Sequence, residues 1–279
     1  MPATLSTETI SEQLLGQFAK LIYEKTGIRI SSQKKTLLSN RLRRRMRATG
    51  IESFEGYFKH LTSIRCDDAE WDGFLQEITT HETYLFRDAT QWNWFSETYL
   101  PEVQSAARRG ERSKSLKIWS AACSTGDEAS TIACCIADRL TGHRDWKIEI
   151  VGTDIGIDAV EQAREATFGE RAMRLVSDSH RTRFFTATSD NRWQAKPVLT
   201  QWMKFHQHNL LDPMTVGPFD VVFVKNVFIY FDADSKSAAF KNIHAALKPR
   251  GLLVSGPAEG MTDLLRDYER QHPWLHSKE

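Results

Sequence analysis

Long apolar runs are missing from this 279-residue chain. No run approaches the roughly 20 residues that a membrane-spanning helix requires. The first residues, MPATLSTETISEQ, are polar and acidic and lack the basic and apolar parts of a secretory leader. The cysteines show neither C-x-x-C spacing nor a disulfide framework, and they are Cys66, Cys123, Cys134 and Cys135. We therefore expect a cytoplasmic protein that does not insert into membranes.

The glycine-rich motifs that bind phosphate groups are also missing. The chain contains neither the G-x-G-x-x-G pattern of dinucleotide-binding folds nor the G-x-x-x-x-G-K-[ST] phosphate loop. The loop CSTGDE at 123–128, which follows a strand-like run, has a single glycine, Gly126. These absences disfavour an NAD-dependent oxidoreductase and favour a nucleoside ligand that carries no phosphate.

Net charge is also small, because 37 Lys and Arg residues face 36 Asp and Glu residues. The positive charge is uneven, since RLRRRMR at 41–47 puts five arginines into seven positions. A dedicated nucleic-acid-binding domain is usually more basic than residues 1–75, which hold 12 basic and 9 acidic residues. No aromatic or base-reading pattern accompanies the arginines. We expect neither a nucleic-acid partner nor a bound metal.

Apolar spacing divides the chain into a helical part and an α/β part. Thr9 and Glu12 are spaced as a capping box, and the apolar residues up to about residue 75 recur at helical intervals. From about residue 115, short apolar strands alternate with helices, which predicts a doubly wound, mainly parallel sheet. The interval of about 170–209 breaks that rhythm and predicts an inserted antiparallel β-subdomain. We expect a helical domain at 1–75, a linker at 76–95 and an α/β domain at 96–279.

Polar residues follow the predicted strands, where parallel sheets bind their ligands. Asp154 ends one strand and is placed to accept hydrogen bonds from two ribose hydroxyls, although it could also cap a helix. Glu128 could meet the cationic amino-acid end of a ligand or serve only as an acid in the first turn of a helix. Asn209 and Asn226 could contact a ligand or simply form turns.

Six segments of the chain occur in an order that is highly specific. They are HETYLFRD (81–88), IWSAACSTGDE (118–128), GTDI (152–155), HNLL (208–211), FDVVFVKNVFIYFD (219–232) and LKPRGLL (247–253). Together they resemble the CheR-type methyltransferases, which methylate glutamates of bacterial chemoreceptors. The resemblance implies a Rossmann-like, class I S-adenosylmethionine-dependent methyltransferase domain. An all-helical domain would precede it, and a small antiparallel β-subdomain would be inserted in it.

The resemblance also implies roles for individual residues. Those expected to bind S-adenosylmethionine are His81, Thr83, Arg87, Glu128, Asp154, Asn209, Leu210, Asn226 and Val227. Arg87 and Tyr230 would hold and aim the glutamate carboxylate during methyl transfer. The chain departs from the family pattern at three positions, because His81 replaces an asparagine, Lys225 an arginine and Pro257 a histidine.

The arginine-rich stretch would recognise the substrate. With Leu42 at the centre of a buried helical stripe, most of the arginines point towards solvent. The resemblance implies that this helix faces the Glu-rich cytoplasmic bundle of a chemoreceptor. The arginines expected to bind the substrate are Arg41, Arg43, Arg44 and Arg47. In some relatives the β-subdomain also docks a C-terminal receptor tail by adding a strand. We expect a monomer.

Two alternatives to a chemoreceptor methyltransferase stay open at this point. One is a methyltransferase for another acceptor, such as RNA or a small molecule. The other is a receptor-binding module that keeps the cofactor site but has little or no catalysis, which the departures at His81, Lys225 and Pro257 would permit. An alkali-labile methyl group on a receptor would distinguish a glutamate methyl ester from both.

Overall fold

The computed structural model describes residues 10–31, 34–65 and 67–279. Thr9 of the predicted capping box and Cys66 lie outside these ranges. The first helix instead begins after Ser11, whose hydroxyl accepts a hydrogen bond from the backbone N–H of Leu14 at 3.2 Å. Within the described ranges, no helix combines the length and the apolar character needed to span a bilayer.

Within the described residues, four helices form the helical part, and their apolar faces share one core. Phe18, Tyr57 and Phe74 are fully buried there and pack with their rings 6.3–6.5 Å apart. The second helix exists because Leu38, Leu42 and Met46 recur every four residues and bury one stripe. The helices are α1 (Glu12–Thr26), α2 (Lys35–Thr49), α3 (Phe54–Ser63) and α4 (Ala69–Ile78).

The α/β part is built on a seven-stranded sheet in the order β6-β2-β1-β7-β8-β10-β9. The first five strands of this order are parallel, and β10 and β9 extend the sheet in antiparallel fashion. The strands are β1 (Ser115–Ala121), β2 (Lys147–Asp154), β6 (Met203–Gln207), β7 (Phe219–Val224), β8 (Leu247–Ser255), β9 (Tyr268–His272) and β10 (Leu275–Lys278). The predicted mainly parallel α/β fold is confirmed.

Helices cover both faces of this sheet and bury its apolar strands. The longer ones are α5 (Ala89–Trp94), α6 (Leu100–Arg108), α7 (Asp127–Arg139), α8 (Ile157–Glu165), α10 (Asp178–Phe184) and α12 (Ala233–Ala246), and the short ones are α9 (Glu170–Met173) and α11 (Pro197–Thr200). A π-helical turn (Phe95–Tyr99) joins α5 to α6, and 3₁₀ turns occur at His143–Asp145, Phe228–Tyr230 and Thr262–Leu264.

A second, three-stranded antiparallel sheet confirms the predicted β-subdomain. Its strands are β3 (Thr167–Phe168), β4 (Phe185–Ala187) and β5 (Trp193–Ala195), with β5 in the middle. The expected interval of 170–209 does not match its extent, because residues 203–207 form β6 of the main sheet. The alternating pattern there arises because β6 is an edge strand that buries Phe205 while Lys204 and His206 stay exposed.

The strand order brings three loops together at one edge of the main sheet. Strand β1 lies between β2 and β7, so the loops that follow these strands meet at their carboxyl ends. The segment 81–88, between the helical part and α5, crosses this edge. It is held there by hydrogen bonds from Ser124 Oγ to the His81 carbonyl at 3.0 Å and from the Phe86 N–H to Thr131 Oγ1 at 3.0 Å.

Candidate active site

A cleft opens where these three loops meet the 81–88 segment. Its empty volume, including the open mouth, is about 980 Å³. All ten residues that the sequence assigned to the cofactor or to catalysis line it, namely His81, Thr83, Arg87, Glu128, Asp154, Asn209, Leu210, Asn226, Val227 and Tyr230. These residues come from five segments that lie far apart in the sequence, so the fold brings together what the motifs only suggested.

Asp154 is a buried carboxylate at the end of β2. One oxygen accepts a hydrogen bond from the backbone N–H of Ser124 at 2.8 Å, and the other accepts one from the backbone N–H of Gly156 at 3.0 Å. The side chain is only 7% exposed. Two backbone donors therefore fix the orientation of the carboxylate, and its remaining lone pairs can accept hydrogen bonds from a ligand.

His81 packs against this carboxylate. Its Nδ1 lies 3.6 Å from an oxygen of Asp154, and its Nε2 lies 2.6 Å from Thr79 Oγ1. A β-carbon at Gly156 would approach Gln76 Oε1 to 2.3 Å and the His81 ring to 2.8 Å, so a larger residue there would displace these side chains. The imidazole thus supports the Asp154 side of the cleft from the 81–88 segment.

A buried lysine, Lys225, connects the wall that carries Glu128 to the 81–88 segment. The sequence motifs did not indicate this contact. The Lys225 ammonium lies 3.1 Å from Asp88 Oδ2 and 3.4 Å from Glu128 Oε2, and its side chain is 4% exposed. It also lies 4.9 Å from the centre of the Trp92 ring. Glu128 accepts a further hydrogen bond from Ser120 Oγ at 2.7 Å. The lysine thus joins the Glu128 wall to the 81–88 segment.

Glu259 braces the loop that carries Asn226, which the motif comparison also missed. Its carboxylate accepts the backbone N–H of Phe228 at 2.8 Å and also the N–H of Asn226. Asn226 has a positive φ of 60°, so the loop needs this support. Burial raises the pKa of Glu259, while the backbone N–H groups counteract the rise. Glu259 is the last residue of the sequence GPAE at 256–259, but its contact with the Asn226 loop becomes visible only in the fold.

The side chain of Asn209 is occupied by contacts within the protein. Its amide donates to the Lys25 carbonyl at 2.7 Å, and its oxygen accepts the N–H of Leu211 at 3.1 Å. It therefore fastens the end of α1 to the cleft wall. Leu210, which is 6% exposed, supplies an apolar surface beside it.

Arg87 and Tyr230 face the cleft from two different sides. Arg87 donates to the Glu82 carbonyl at 3.2 Å and lies 5.7 Å from the Tyr84 ring. Tyr230 ends the 3₁₀ turn after β7, and the ammonium of Lys34 lies 5.7 Å from its ring. Both side chains are partly exposed, which suits groups that meet a substrate from outside.

Comparison with known proteins identifies the family to which this architecture corresponds. Residues 81–273 match the domain described as "CheR methyltransferase, SAM binding domain", and residues 13–79 match "CheR methyltransferase, all-alpha domain". The chain belongs to the CheR methyltransferase family. It is an S-adenosylmethionine-dependent methyltransferase, and the resemblance seen in the sequence is confirmed.

Similar proteins cover most of the chain. The chemotaxis protein methyltransferase of Salmonella typhimurium is 31% identical over 264 residues, which span 93% of this chain and 88% of that protein. The Escherichia coli protein of the same description is 32% identical and covers the same shares. Chemotaxis protein methyltransferase 1 of Pseudomonas aeruginosa is 34% identical over 256 residues, or 90% of this chain and 91% of that protein.

The cleft residues fit S-adenosylmethionine, which carries a sulfonium and no phosphate. Carboxylates outnumber cations in the cleft lining, because Glu82, Glu128 and Asp154 face Arg87 and Lys225. Glu82 pairs with Arg171 outside the lining, so the remaining carboxylates and cations balance, and the lining offers no cluster of cations for a phosphate group. Asp154 and Glu128 carry carboxylate oxygens that could accept hydrogen bonds from the hydroxyl and amino groups of such a cofactor.

The arginines of α2 differ in their surroundings. Arg44 is 51% exposed although it pairs with Glu77 at 2.6 Å, and Arg47 is exposed. Arg43 is half-buried over the Phe54 ring at 5.3 Å and donates to Asn40 at 3.1 Å.

The two remaining arginines of the stretch, Arg41 and Arg45, hydrogen-bond to residues of α4 and of the segment that follows it. Arg41 donates to the Ile78 carbonyl and to Thr80 Oγ1 at 2.9 Å, and burial lowers the pKa of its guanidinium. Arg45 forms a two-point ion pair with Glu70 at 2.5 and 3.1 Å. Arg41 is therefore held between the end of α4 and Thr80, and its role in binding a substrate stays a prediction.

Proposed function

We propose that the protein transfers the methyl group of S-adenosylmethionine to glutamate side chains of chemoreceptors and leaves a glutamate methyl ester. The observation that carries the proposal is the position of Arg87 and Tyr230, which face one cleft together with Asp154 and Glu128. The names of the relatives, all chemotaxis protein methyltransferases, support the same acceptor.

Little acid–base chemistry is needed for this reaction. A glutamate carboxylate has an ordinary pKa of about 4.3 and is already ionised near neutral pH. When bound, S-adenosylmethionine supplies an electrophilic methyl group on its sulfonium. The residues of this chain therefore contribute binding, alignment and exclusion of water, which together supply most of the rate.

We assign Arg87 and Tyr230 to the acceptor. The Arg87 guanidinium would pair with one carboxylate oxygen, and the Tyr230 hydroxyl would donate to the carboxylate and fix its direction. His81, Thr83, Arg87, Asn226 and Val227 complete the wall that holds the cofactor, with Asp154 on its ribose and Glu128 on its amino group. Asn209 and Leu210 shape the adenosyl end of the same wall.

We assign the substrate surface to α2. Arg44 and Arg47 present exposed charge, so they would attract the acidic helices of a receptor bundle through a salt-sensitive field. The edge of β4 offers backbone groups to which a receptor tail could add a strand, since Thr186 and Ala187 are exposed. A monomeric, cytoplasmic enzyme would have both surfaces accessible.

Methyl transfer to isolated chemoreceptors tests the proposal. The protein would be incubated with methyl-labelled S-adenosylmethionine and membranes that carry the receptors, and alkali would then release the label as methanol. We expect alkali-labile label on the receptor that disappears in Arg87→Ala. Tight binding of S-adenosylhomocysteine without labelled receptor would instead indicate a receptor-binding module with no catalysis. Alkali-stable label would indicate another acceptor.

A further inference from the structure

An apolar notch adjoins the cofactor cleft on the side of the helical domain. The residues that form its walls include Ile28, Ile30, Leu37, Leu38, Ile78 and Tyr230. Its empty volume with the open mouth is about 460 Å³. Tyr230 lines both the notch and the cleft, as do Thr79 and Thr80, so the two hollows share a wall. The notch therefore lies directly beside the place proposed for the acceptor glutamate.

The notch is positively charged although its walls are apolar. Lys34 lies at its rim with the ammonium 5.7 Å from the Tyr230 ring. Arg41 also lines it, and its guanidinium donates to the Ile78 carbonyl and to Thr80 Oγ1. A basic side chain entering the notch would meet both charges without a partner carboxylate among its lining residues, whereas an apolar side chain would bury surface.

Exposed apolar side chains flank this region. Among the described residues, the large apolar side chains that stand out as exposed are Leu37 at 48%, Leu175 at 52% and Ile229 at 46%. A single exposed leucine is ordinary on a protein surface. Leu37 differs because it lines the notch, and Ile229 directly precedes Tyr230 in the chain. Exposed apolar surface is thus present on α2 at the notch and, at Ile229, beside Tyr230 in the chain.

We infer that the notch binds an apolar side chain of the substrate helix, one helical turn away from the glutamate that is methylated. This inference rests on the proposed function and deepens it. Residues three or four apart on a helix have Cβ atoms about 5–6 Å apart, so two neighbouring side chains of one helix can enter two hollows that share Tyr230, Thr79 and Thr80 as a wall. The cations on the same helix, Arg44 and Arg47, suit an acidic helix at this surface.

The consequence is selectivity among glutamates. A glutamate with leucine or alanine one turn away would fill the notch and align its carboxylate at Tyr230. A glutamate with lysine in that position would be rejected by Lys34 and Arg41. Leu37 is then a specificity residue, and the notch chooses which glutamates of a receptor become esters.

The experiment compares receptor cytoplasmic fragments that differ only in the residue one turn from the acceptor, leucine or lysine. The full-length enzyme is tested as wild type, as Leu37→Glu and as the matched control Leu175→Glu, which changes a residue of similar exposure on the β-subdomain side. Glutamate at position 37 lies in the first turn of α2, where a negative charge favours the helix. Affinity for S-adenosylhomocysteine, measured by calorimetry, reports an intact cofactor cleft.

We expect wild-type kcat/KM to favour the leucine fragment by about tenfold or more, as is usual for an apolar pocket. Leu37→Glu should remove most of that preference, while S-adenosylhomocysteine affinity stays within about twofold, because no cofactor contact changes. Leu175→Glu should keep the wild-type preference.

Equal kcat/KM for the two fragments with wild-type enzyme would overturn the inference and leave the proposed function intact. Self-association of the wild type that is lost in Leu37→Glu, together with equal kcat/KM for both fragments, would assign the notch to a second copy of the chain and also overturn it. No labelled ester on any fragment would overturn the proposed function itself.

Discussion

Replacement of Lys225 by methionine should lower the free energy of unfolding strongly, because it removes the positive charge between two carboxylates. The ammonium is 3.1 Å from Asp88 and 3.4 Å from Glu128, and these side chains are only 30% and 14% exposed. Methionine has nearly the same length and fills the same space over Trp92, so cavity effects stay small. What remains is a pair of poorly solvated carboxylates without their cation.

Breaking a buried ion pair by removing one partner costs about 3–5 kcal/mol. Asp88 retains access to water, so we place the loss for Lys225→Met at the low end, about 3 kcal/mol. For a domain of this size, that loss corresponds to a fall in the melting temperature of about 6–12 °C. Thermal unfolding followed by circular dichroism near neutral pH measures it.

Two further variants separate the charge from the shape of the side chain. Lys225→Arg restores the residue type of the family and keeps the charge, so it should retain most of the stability. Lys241→Met removes an exposed lysine from α12 and should change the free energy of unfolding by less than about 0.5 kcal/mol. A melting temperature of Lys225→Met equal to that of Lys241→Met would refute the view that Lys225 holds this wall together.

Three other variants test separate parts of the account. Asp154→Asn should lower S-adenosylhomocysteine affinity by about tenfold or more in calorimetry, because a charged acceptor becomes a neutral one; unchanged affinity would remove Asp154 from the cofactor site. Burial raises the pKa of Asp127 from 3.8 to about 6. The folded protein binds this proton more tightly than the unfolded chain does. The resulting contribution to the free energy of unfolding is therefore complete below pH 3.8 and is lost as the pH rises through 6. The free energy of unfolding of Asp127→Asn, relative to that of the wild type, should rise by up to about 3 kcal/mol when the pH goes from 4 to 7, as measured by urea unfolding at both pH values. The same difference between variant and wild type at both pH values would contradict this reasoning. Arg44→Glu combined with Arg47→Glu should raise KM for the receptor in a salt-sensitive way with S-adenosylhomocysteine affinity unchanged, and an equal loss of both would contradict the division between substrate and cofactor surfaces.

Much of the cleft could be predicted from the sequence because its residues sit at fixed points of local motifs. Asp154 ends a buried strand, and Glu128 follows a short Ser/Gly loop, so their positions at the sheet edge follow from strand order. The helix around Leu42 could likewise be predicted from its four-residue spacing. These features depend on a few neighbouring residues and need no knowledge of distant contacts.

The remaining features depend on contacts between distant segments. Glu259 supports Asn226 from 33 positions away, and Arg41 reaches Thr80 across 39 positions. Neither contact produces a repeating sequence pattern from which it could be predicted. The assignment of residues 203–207 failed for a related reason, since an alternating strand looks the same in an inserted hairpin and at the edge of a larger sheet.

The position of the bound cofactor tests the central claim most directly, and a crystal structure with S-adenosylhomocysteine would measure it. We expect the ribose hydroxyls within hydrogen-bonding distance of Asp154, the amino group near Glu128, and the sulfur facing the space between Arg87 and Tyr230. A structure in which the ligand lies elsewhere, or in which the sulfur points away from both of these side chains, would contradict the account.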